Sequence, residues 1–167
     1  MIIFKEGNIL NSKADYICHQ VNCRGAMNSG VAKAIRQKYP EVFEAYFNCA
    51  KDIDIGFGDK QLSWEHMFGH IQFVPINKRY IVNMFAQDGY GYDGKRYTSY
   101  DAFWNCLNEI KMKVSDGETI AFPYKIGSVR GGANWEIIYK MIEEVFKDTN
   151  INVEIWRYDD GKELPRV

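Results

Sequence analysis

The chain has 167 residues, of which 46% are hydrophobic and 26% are charged, and its formal net charge is −1. This length and composition predict a single globular domain that is large enough to bury a full core. A net charge near zero gives no general attraction to nucleic acid or to membrane surfaces. No apolar stretch approaches the roughly 20 residues of a membrane-spanning helix. We therefore expect neither a membrane partner nor general nucleic-acid binding.

The cysteines indicate a reducing environment. Cys18, Cys23, Cys49 and Cys106 form no Cys-x-x-Cys pair, and residues 1–6 do not resemble a secretory signal. Free thiols and a cytoplasmic location are therefore expected.

Strand and helix patterns alternate along the first part of the chain. A short strand is predicted at 2–4, and a nearly continuous apolar run predicts a strand at 16–21 that is covered on both faces. From Ser29 onward, apolar residues recur at helical spacing, with Asn28 or Ser29 as the expected N-cap. Pro40 ends this helix, and a second helix is predicted directly after it.

The rest of the chain continues the alternation. Its predicted elements are a turn at 56–59, strands at 71–74 and 80–85, a long loop at 88–97, a helix capped by Thr98 or Ser99, a strand at 119–123, a helix at 135–146 and a strand at 152–156. This order predicts an α/β fold, a three-layer α/β/α domain with a mixed central sheet of about six strands. The domain is assigned to residues 1–158, followed by a short charged tail at 159–167.

Two glycine-bearing loops each follow a predicted strand and precede a predicted helix. The first glycine loop is residues 21–30, and the second glycine loop is residues 126–134. A glycine-rich turn before a helix offers backbone N–H groups and a positive helix end to an anion. Ligands of open α/β sheets bind at the carboxyl ends of the strands, where both loops begin. We therefore predict a ligand with two phosphates, held between the loops.

Four segments of the sequence resemble macrodomains, the modules that bind ADP-ribose. They are Gly7-Asn8-Ile9, Val21-Asn22-Cys23 with Gly30-Val31-Ala32, residues 123–127 with 131–135, and the last strand with Trp156 and Tyr158. Together they cover nearly the whole chain. The resemblance is closest to the branch of terminal ADP-ribose protein glycohydrolases and ADP-ribose-1''-phosphate phosphatases. It implies the three-layer fold and ADP-ribose or a derivative as ligand, without a cofactor.

The resemblance also implies roles for individual residues. Asn8 matches the position that contacts the amino edge of adenine, although it is also a simple turn residue. Asn22 matches a ribose-binding position, and Tyr158, with Trp156 as the alternative, matches the adenine-stacking aromatic. Arg130 either pairs with a phosphate or is solvated. The expected ligand-binding set is Asn8, Ile9, Asn22, Cys23, Asn28, Ser29, Gly30, Val31, Gly127, Ser128, Val129, Arg130, Gly131, Gly132, Ala133, Asn134 and Tyr158.

The catalytic residues of the resembling glycohydrolases are missing. Residues 83–87 contain no lysine, and residues 129–132 contain no acid. Asp88, just after the central strand, is the candidate general base, and Asn22 is assigned to the catalytic set with it. Hydrolysis of an ADP-ribose linkage, including phosphatase action on ADP-ribose-1''-phosphate, is the leading activity. The alternative is a non-catalytic ADP-ribose reader, and ADP-ribosylated macromolecules are candidate partners of either.

Other groups of residues can be considered as metal or nucleophilic sites, and neither kind of site is predicted from them. His66 and His70 have i, i+4 spacing, but the segment is not helical and lacks a third ligand, so no metal site is predicted. Cys18 and His19 point to opposite faces of a strand, which argues against a nucleophilic pair. His19 is a weaker candidate base than Asp88 because it lies inside the strand.

Overall fold

The computed structural model describes residues 1–158 as a three-layer α/β/α domain. In chain order, its elements are β1 (Ile2–Glu6), β2 (Tyr16–Val21), α1 (Gly30–Lys38), α2 (Pro40–Asn48), β3 (Lys51–Gly56), β4 (Asp59–Ser63), β5 (Ile71–Ile76), β6 (Arg79–Phe85), α3 (Tyr100–Lys113), β7 (Thr119–Pro123), α4 (Trp135–Phe146) and β8 (Asn152–Arg157). The predicted fold class is confirmed. The predicted tail, 159–167, lies outside the described residues.

The central sheet has six strands in the order β1-β8-β7-β2-β6-β5. Neighbouring strands are parallel except for β5, which runs antiparallel to β6, so the sheet is mixed as predicted. Because β2, β6 and β7 are parallel, the loops that follow them emerge at one edge of the sheet. We call this edge the rim. Since β2 and β7 are neighbours, the two glycine loops lie side by side there.

The helices cover the sheet in pairs, with α1 and α2 on one face and α3 and α4 on the other. Alternate residues of β2 point to opposite faces. Ile17 belongs to the core that contains Ile35 of α1 and Tyr46 of α2. Cys18 belongs to the other core, with Phe103 of α3. β2 is therefore covered on both faces, as its apolar run predicts.

A β-hairpin formed by β3 and β4 is the main feature that the sequence pattern did not predict. Only its turn at 56–59 was expected, whereas the structure pairs Lys51 with Ser63 and continues the pairing to the turn. All but one of the hairpin's residues are exposed, including Ile53 and Ile55. A strand with no buried face does not produce the inside–outside alternation by which strands are recognised.

Two further properties concern the expected environment. All four cysteines are free thiols, as predicted. Among residues 1–158, none of the helices combines the length and apolar character that a bilayer span requires.

Candidate functional site

A cleft of about 280 Å³ opens at the rim, between the two glycine loops and the loop that follows β6. The expected site residues that line it are Asn22, Asn28, Ser29, Gly30, Val31, Gly127, Val129, Arg130 and Gly131. The structure therefore brings parts of both glycine loops to one cavity. Cleft residues that the sequence pattern did not assign to the site include His19, Gln20, Gln87, Tyr90, Tyr92, Tyr124 and Lys125.

Asn22 holds the shape of the first glycine loop. Its Oδ1 accepts hydrogen bonds from the backbone N–H of Arg24 at 2.9 Å and from the hydroxyl of Tyr46 at 2.8 Å. Its Nδ2 donates to the carbonyl of Ala26 at 2.8 Å. The residue is 8% exposed. Most of its hydrogen-bonding capacity is used within the protein, so its main structural effect is to fix the loop beside the cleft.

The first glycine loop delivers the N-terminus of α1 to the cleft. Ser29 is the N-cap residue, but its side chain caps no backbone N–H group. The first N–H groups of the helix therefore keep their hydrogen-bonding capacity, and the positive end of the helix dipole lies beside them. Gly30 has φ +59°, and nothing lies within 4 Å of the position that a Cβ would occupy. An anion can approach this backbone closely.

The second glycine loop has little space around its glycines. A Cβ on Gly131 would lie 2.2 Å from Oγ1 of Thr98, and one on Gly132 would lie 2.6 Å from the carbonyl oxygen of Lys95. The backbone N–H groups of Tyr97 and Thr98 donate to the carbonyl of Gly131 at 2.8 and 3.0 Å. Here glycine is required for packing between two loops. Within residues 1–158, the backbone N–H groups of 129–131 have no hydrogen-bond acceptor, so they remain available to a ligand.

Two buried acceptors at the end of β2 border the same cleft. His19 Nδ1 and Gln20 Oε1 have no hydrogen-bond partner among the described residues. Burial lowers the pKa of His19 to about 4, so the imidazole is neutral near pH 7. A buried acceptor without a partner costs free energy, which makes a ligand or water donor favourable at both positions.

Gln20 is oriented by a network on the α3/α4 side of the sheet. Its Nε2 donates to Oε1 of Gln87 at 2.6 Å and to Oγ1 of Thr98 at 2.7 Å. Gln87 and Thr98 donate in turn to the backbone carbonyls of Gly89 and Gly127. Because carbonyls only accept, every donor in this network is assigned. The amide oxygen of Gln20 is left as the free acceptor.

Aromatic side chains stand at the mouth of the cleft. Tyr90 is 53% exposed and Tyr92 is 75% exposed, and both line the cavity. The Arg130 guanidinium lies 4.3 Å from the centre of the Tyr92 ring, which is a cation–π contact between the second glycine loop and the loop after β6. The cleft mouth therefore offers both a positive charge and aromatic faces.

Other expected residues lie near the rim without lining the cleft. Asp88 pairs with Arg24 across 3.1 Å, and both side chains are about half exposed. The carbonyl of Asp88 also accepts from the N–H of Cys23, which ties the first glycine loop to the loop after β6. Burial raises the pKa of the Cys23 thiol to about 12, so this group is a neutral thiol. Ser128 is a loop residue whose hydroxyl donates to the carbonyl of Ile126.

The remaining expected residues have local structural contacts. Asn8 Oδ1 accepts from the N–H of Leu10 and caps a short 3-10 turn, in which Ile9 is buried. Asn134 caps α4 by accepting from the N–H of Glu136, and Gly132 and Ala133 lie between this cap and the cleft-lining part of the loop. Tyr158 is 60% exposed, one residue after β8.

No metal-binding arrangement of three or more His, Cys, Asp or Glu residues is present within residues 1–158. His70 Nδ1 lies 2.5 Å from Oε1 of Glu109, and His66 is exposed.

The sequence did contain a signal for the two cleft acceptors that were not assigned to the site. His19 and Gln20 are adjacent polar residues in an otherwise apolar strand.

Comparisons with known proteins provide the family context. No family model matches the chain. A DNA ADP-ribosyl glycohydrolase of Mycobacterium bovis is 33% identical over 58 residues, which are 35% of this chain and 16% of that protein. A DNA ADP-ribosyl glycohydrolase of Thermus aquaticus is 22% identical over 160 residues, 95% of this chain and 41% of that protein. An uncharacterized 17.5 kDa protein of phage T4 is 27% identical over 143 residues, 84% of this chain and 85% of that protein. The chain thus spans less than half the length of the two glycohydrolases.

Solved structures share the arrangement of strands and helices. A Bacteroides thetaiotaomicron protein of unknown function has a TM-score of 0.73 and 26% identity, covering 94% of this chain and 98% of its own. The macrodomain of Mycobacterium tuberculosis DarG has a TM-score of 0.72 and 18% identity, covering 93% and 97%. Thermosipho africanus DarTG in complex with ADP-ribose has a TM-score of 0.70 and 14% identity, covering 96% and 43%. This chain therefore has the fold of a macrodomain.

Proposed function

We propose that the cleft binds ADP-ribose or a closely related derivative and that the protein hydrolyses an ADP-ribose linkage. The observation that carries the binding proposal is the placement of unpaired N–H groups on both sides of one cleft. The uncapped N-terminus of α1 lies on one side, and the N–H groups of 129–131 lie on the other. A diphosphate requires such a set of converging donors.

The two buried acceptors suit the ribose part of the ligand. A ribose ring presents hydroxyl donors, and His19 Nδ1 and Gln20 Oε1 are acceptors that lack donors among the described residues. A ligand that carries both phosphates and hydroxyl groups therefore suits the cleft better than a simple anion. Tyr158 follows β8 at the same rim and is exposed, so we keep it as the predicted adenine contact.

Hydrolysis is supported by the names of two sequence relatives, which are DNA ADP-ribosyl glycohydrolases. In this chain, residues 83–87 contain no lysine, so the reaction needs another base. Asp88 remains the proposed base because it follows β6 at the rim, although it does not line the cleft: its Oδ2 is held by Arg24, and its Oδ1 is buried without a hydrogen-bond partner among the described residues. A non-catalytic ADP-ribose reader is the alternative. We also propose a cytoplasmic location, which the four free thiols support.

Calorimetric titration with ADP-ribose tests the binding proposal, and two glycines provide a matched pair of variants. Gly30 and Gly58 both have positive φ and nothing within 4 Å of the position that a Cβ would occupy, but Gly58 lies in the β3–β4 turn. Gly30→Leu should lower ADP-ribose affinity at least tenfold, whereas Gly58→Leu should leave it unchanged. No heat and no thermal shift with millimolar ADP-ribose would contradict the proposal.

Product release separates the hydrolase from the reader. The protein should be incubated with ADP-ribose-1''-phosphate, with ADP-ribosylated DNA and with ADP-ribosylated protein, for wild type and Asp88→Ala. The proposal expects release from at least one substrate and at least a tenfold slower rate in the variant. Equal rates would remove Asp88 from the mechanism. Binding without release from any of the three would favour the reader.

A further inference from the structure

A row of polar side chains crosses the sheet on the face that is otherwise apolar and covered by α1 and α2. His19 of β2 pairs in register with Asn83 of β6, and Asn83 pairs with Gln72 of β5. His19 is 1% exposed and Asn83 is fully buried. Their neighbours on this face, Ile17 and Ile81, belong to the hydrophobic core. Burying His19 and Asn83 and partly burying Gln72 costs free energy unless each side chain is hydrogen-bonded.

The hydrogen bonds along this row have only one consistent direction. Gln72 Nε2 donates to the backbone carbonyl of Ala45 at 3.0 Å, and this carbonyl lies in the last turn of α2, where helical donors are absent. The Gln72 Oε1 then accepts from Nδ2 of Asn83 at 3.0 Å. The remaining Asn83 Oδ1 lies 2.5 Å from Nε2 of His19, so His19 Nε2 carries the proton and donates.

This direction determines what His19 presents to the cleft. With the proton on Nε2 and the ring neutral, Nδ1 is a bare lone pair. Nδ1 has no partner among the described residues, although His19 lines the cleft. His19 is almost fully buried and lines the cleft, so a donor that reaches Nδ1 comes from the cleft side. Through side chains on β5, β6 and β2, a backbone carbonyl on α2 thus determines that Nδ1 of His19 is an acceptor.

We infer that Gln72 and Asn83 are positioning residues that lock His19 in the Nε2–H tautomer, so that Nδ1 accepts a hydrogen bond from an O–H group in the occupied cleft. The O–H group is a ribose hydroxyl of the ligand or a water that the ligand holds. This inference rests on the proposed binding of ADP-ribose. The tautomer itself is a property of the free protein and can be measured without a ligand.

Nitrogen-15 NMR of the histidine rings tests the tautomer in the ligand-free protein. The exposed His66 and His70 rings supply the comparison signals, since the chain has three histidines. We expect an unprotonated Nδ1 and a protonated Nε2 for His19. In Gln72→Met, the amide of Asn83 is free to rotate and offer Nδ2 to the ring, so the Nδ1–H tautomer should become populated. Val74→Ala, on the same strand and face, controls for general loosening and should keep the wild-type tautomer.

Ligand titration of wild type tests the contact at Nδ1 without any variant. Adding ADP-ribose should move the Nδ1 signal in the direction of an accepted hydrogen bond. ADP lacks the distal ribose. If the ribose hydroxyl is the donor, adding ADP should leave the Nδ1 signal in place. If the donor is a water held by the part that ADP shares with ADP-ribose, adding ADP should move the signal.

Three results would overturn the inference. The first is an Nδ1–H tautomer in wild type, and the second is an unchanged single tautomer in Gln72→Met. The third is an Nδ1 signal that neither ligand moves while calorimetry shows that ADP-ribose binds. If calorimetry shows no binding, the proposed function fails, whereas the ligand-free tautomer result still decides whether the row of side chains orients His19.

Discussion

The two glycine loops reach the same cleft but are built in opposite ways. The first is shaped by side chains, chiefly by the hydrogen bonds of Asn22, and it ends at Gly30, which has open space around it. The second is shaped by backbone packing, with Gly131 pressed against Thr98. One loop offers an uncapped helix, and the other offers the N–H groups of the loop itself.

A glycine beside a phosphate site can thus be there for either of two distinct physical reasons. At Gly30 the absence of a side chain leaves room for a ligand. At Gly131 it leaves room for the neighbouring loop, and the ligand benefits only because the loop is held in place. Substitutions in the two loops should therefore separate effects on binding from effects on stability.

The largest expected effect is that of Gly131→Ala. Its Cβ would lie 2.2 Å from Oγ1 of Thr98 and 2.5 Å from the carbonyl oxygen of Gly127, so the loop must shift. We expect a loss of about 3 kcal/mol in the free energy of unfolding, measured with urea. Gly30→Ala meets no atom and suffers only from its positive φ, which costs about 1 kcal/mol. Equal losses in the two variants would contradict the distinction between the loops.

Asn22→Ala should have the next largest effect, because it removes the side-chain acceptor for Arg24 N–H and one of the two acceptors within reach of Tyr46 O–H. We expect a loss of about 2 kcal/mol in stability, with weaker ADP-ribose binding as the first glycine loop loses its shape. Asn28→Ala is the control, since Asn28 also lines the cleft but bonds only to exposed Arg36 among the described residues. A stability loss in Asn28→Ala as large as that in Asn22→Ala would show that Asn22 does not organise the loop.

The pH dependence of stability tests whether His19, which lines the cleft, is buried in its neutral form. Burial lowers the pKa of His19 to about 4, below its ordinary value of 6.5. Between these values the unfolded chain binds a proton that the folded chain does not, so stability falls as the pH decreases. Lowering the pH from 7 to 5.5 should cost wild type about 1 kcal/mol more than His19→Gln in urea unfolding. Parallel pH profiles would mean that folding does not change the pKa of His19.

The smallest stability effect is expected at the mouth of the cleft. Arg130→Ala removes an exposed cation from the Tyr92 ring, so stability should change by less than about 0.5 kcal/mol. If Arg130 also faces a bound phosphate, ADP-ribose affinity should fall by about tenfold at low salt and by less at high salt. Calorimetry at two salt concentrations checks this, with Arg36→Ala, an arginine of α1, as the control. Unchanged affinity would identify Arg130 as a solvated loop residue.

The sequence predicted most of the fold but only part of the site, and the reasons are physical. The run from Tyr16 to Val21 is recognisable because both of its faces are buried, and the same holds for the other central strands. The β3–β4 hairpin buries almost nothing and therefore leaves little trace in the pattern. The glycine loops were located by local composition. The roles of His19 and Gln20 depend on partners such as Asn83 and Thr98, which are more than 60 residues away in the chain.

A crystal structure with ADP-ribose would show whether the two loops hold one diphosphate between them. We expect phosphate oxygens within hydrogen-bond distance of the N–H groups at the start of α1 and of the N–H groups of 129–131. We also expect a ligand or water oxygen at His19 Nδ1. A diphosphate bound by one loop alone, or a ligand located outside the cleft, would contradict the proposed binding of one diphosphate by both loops.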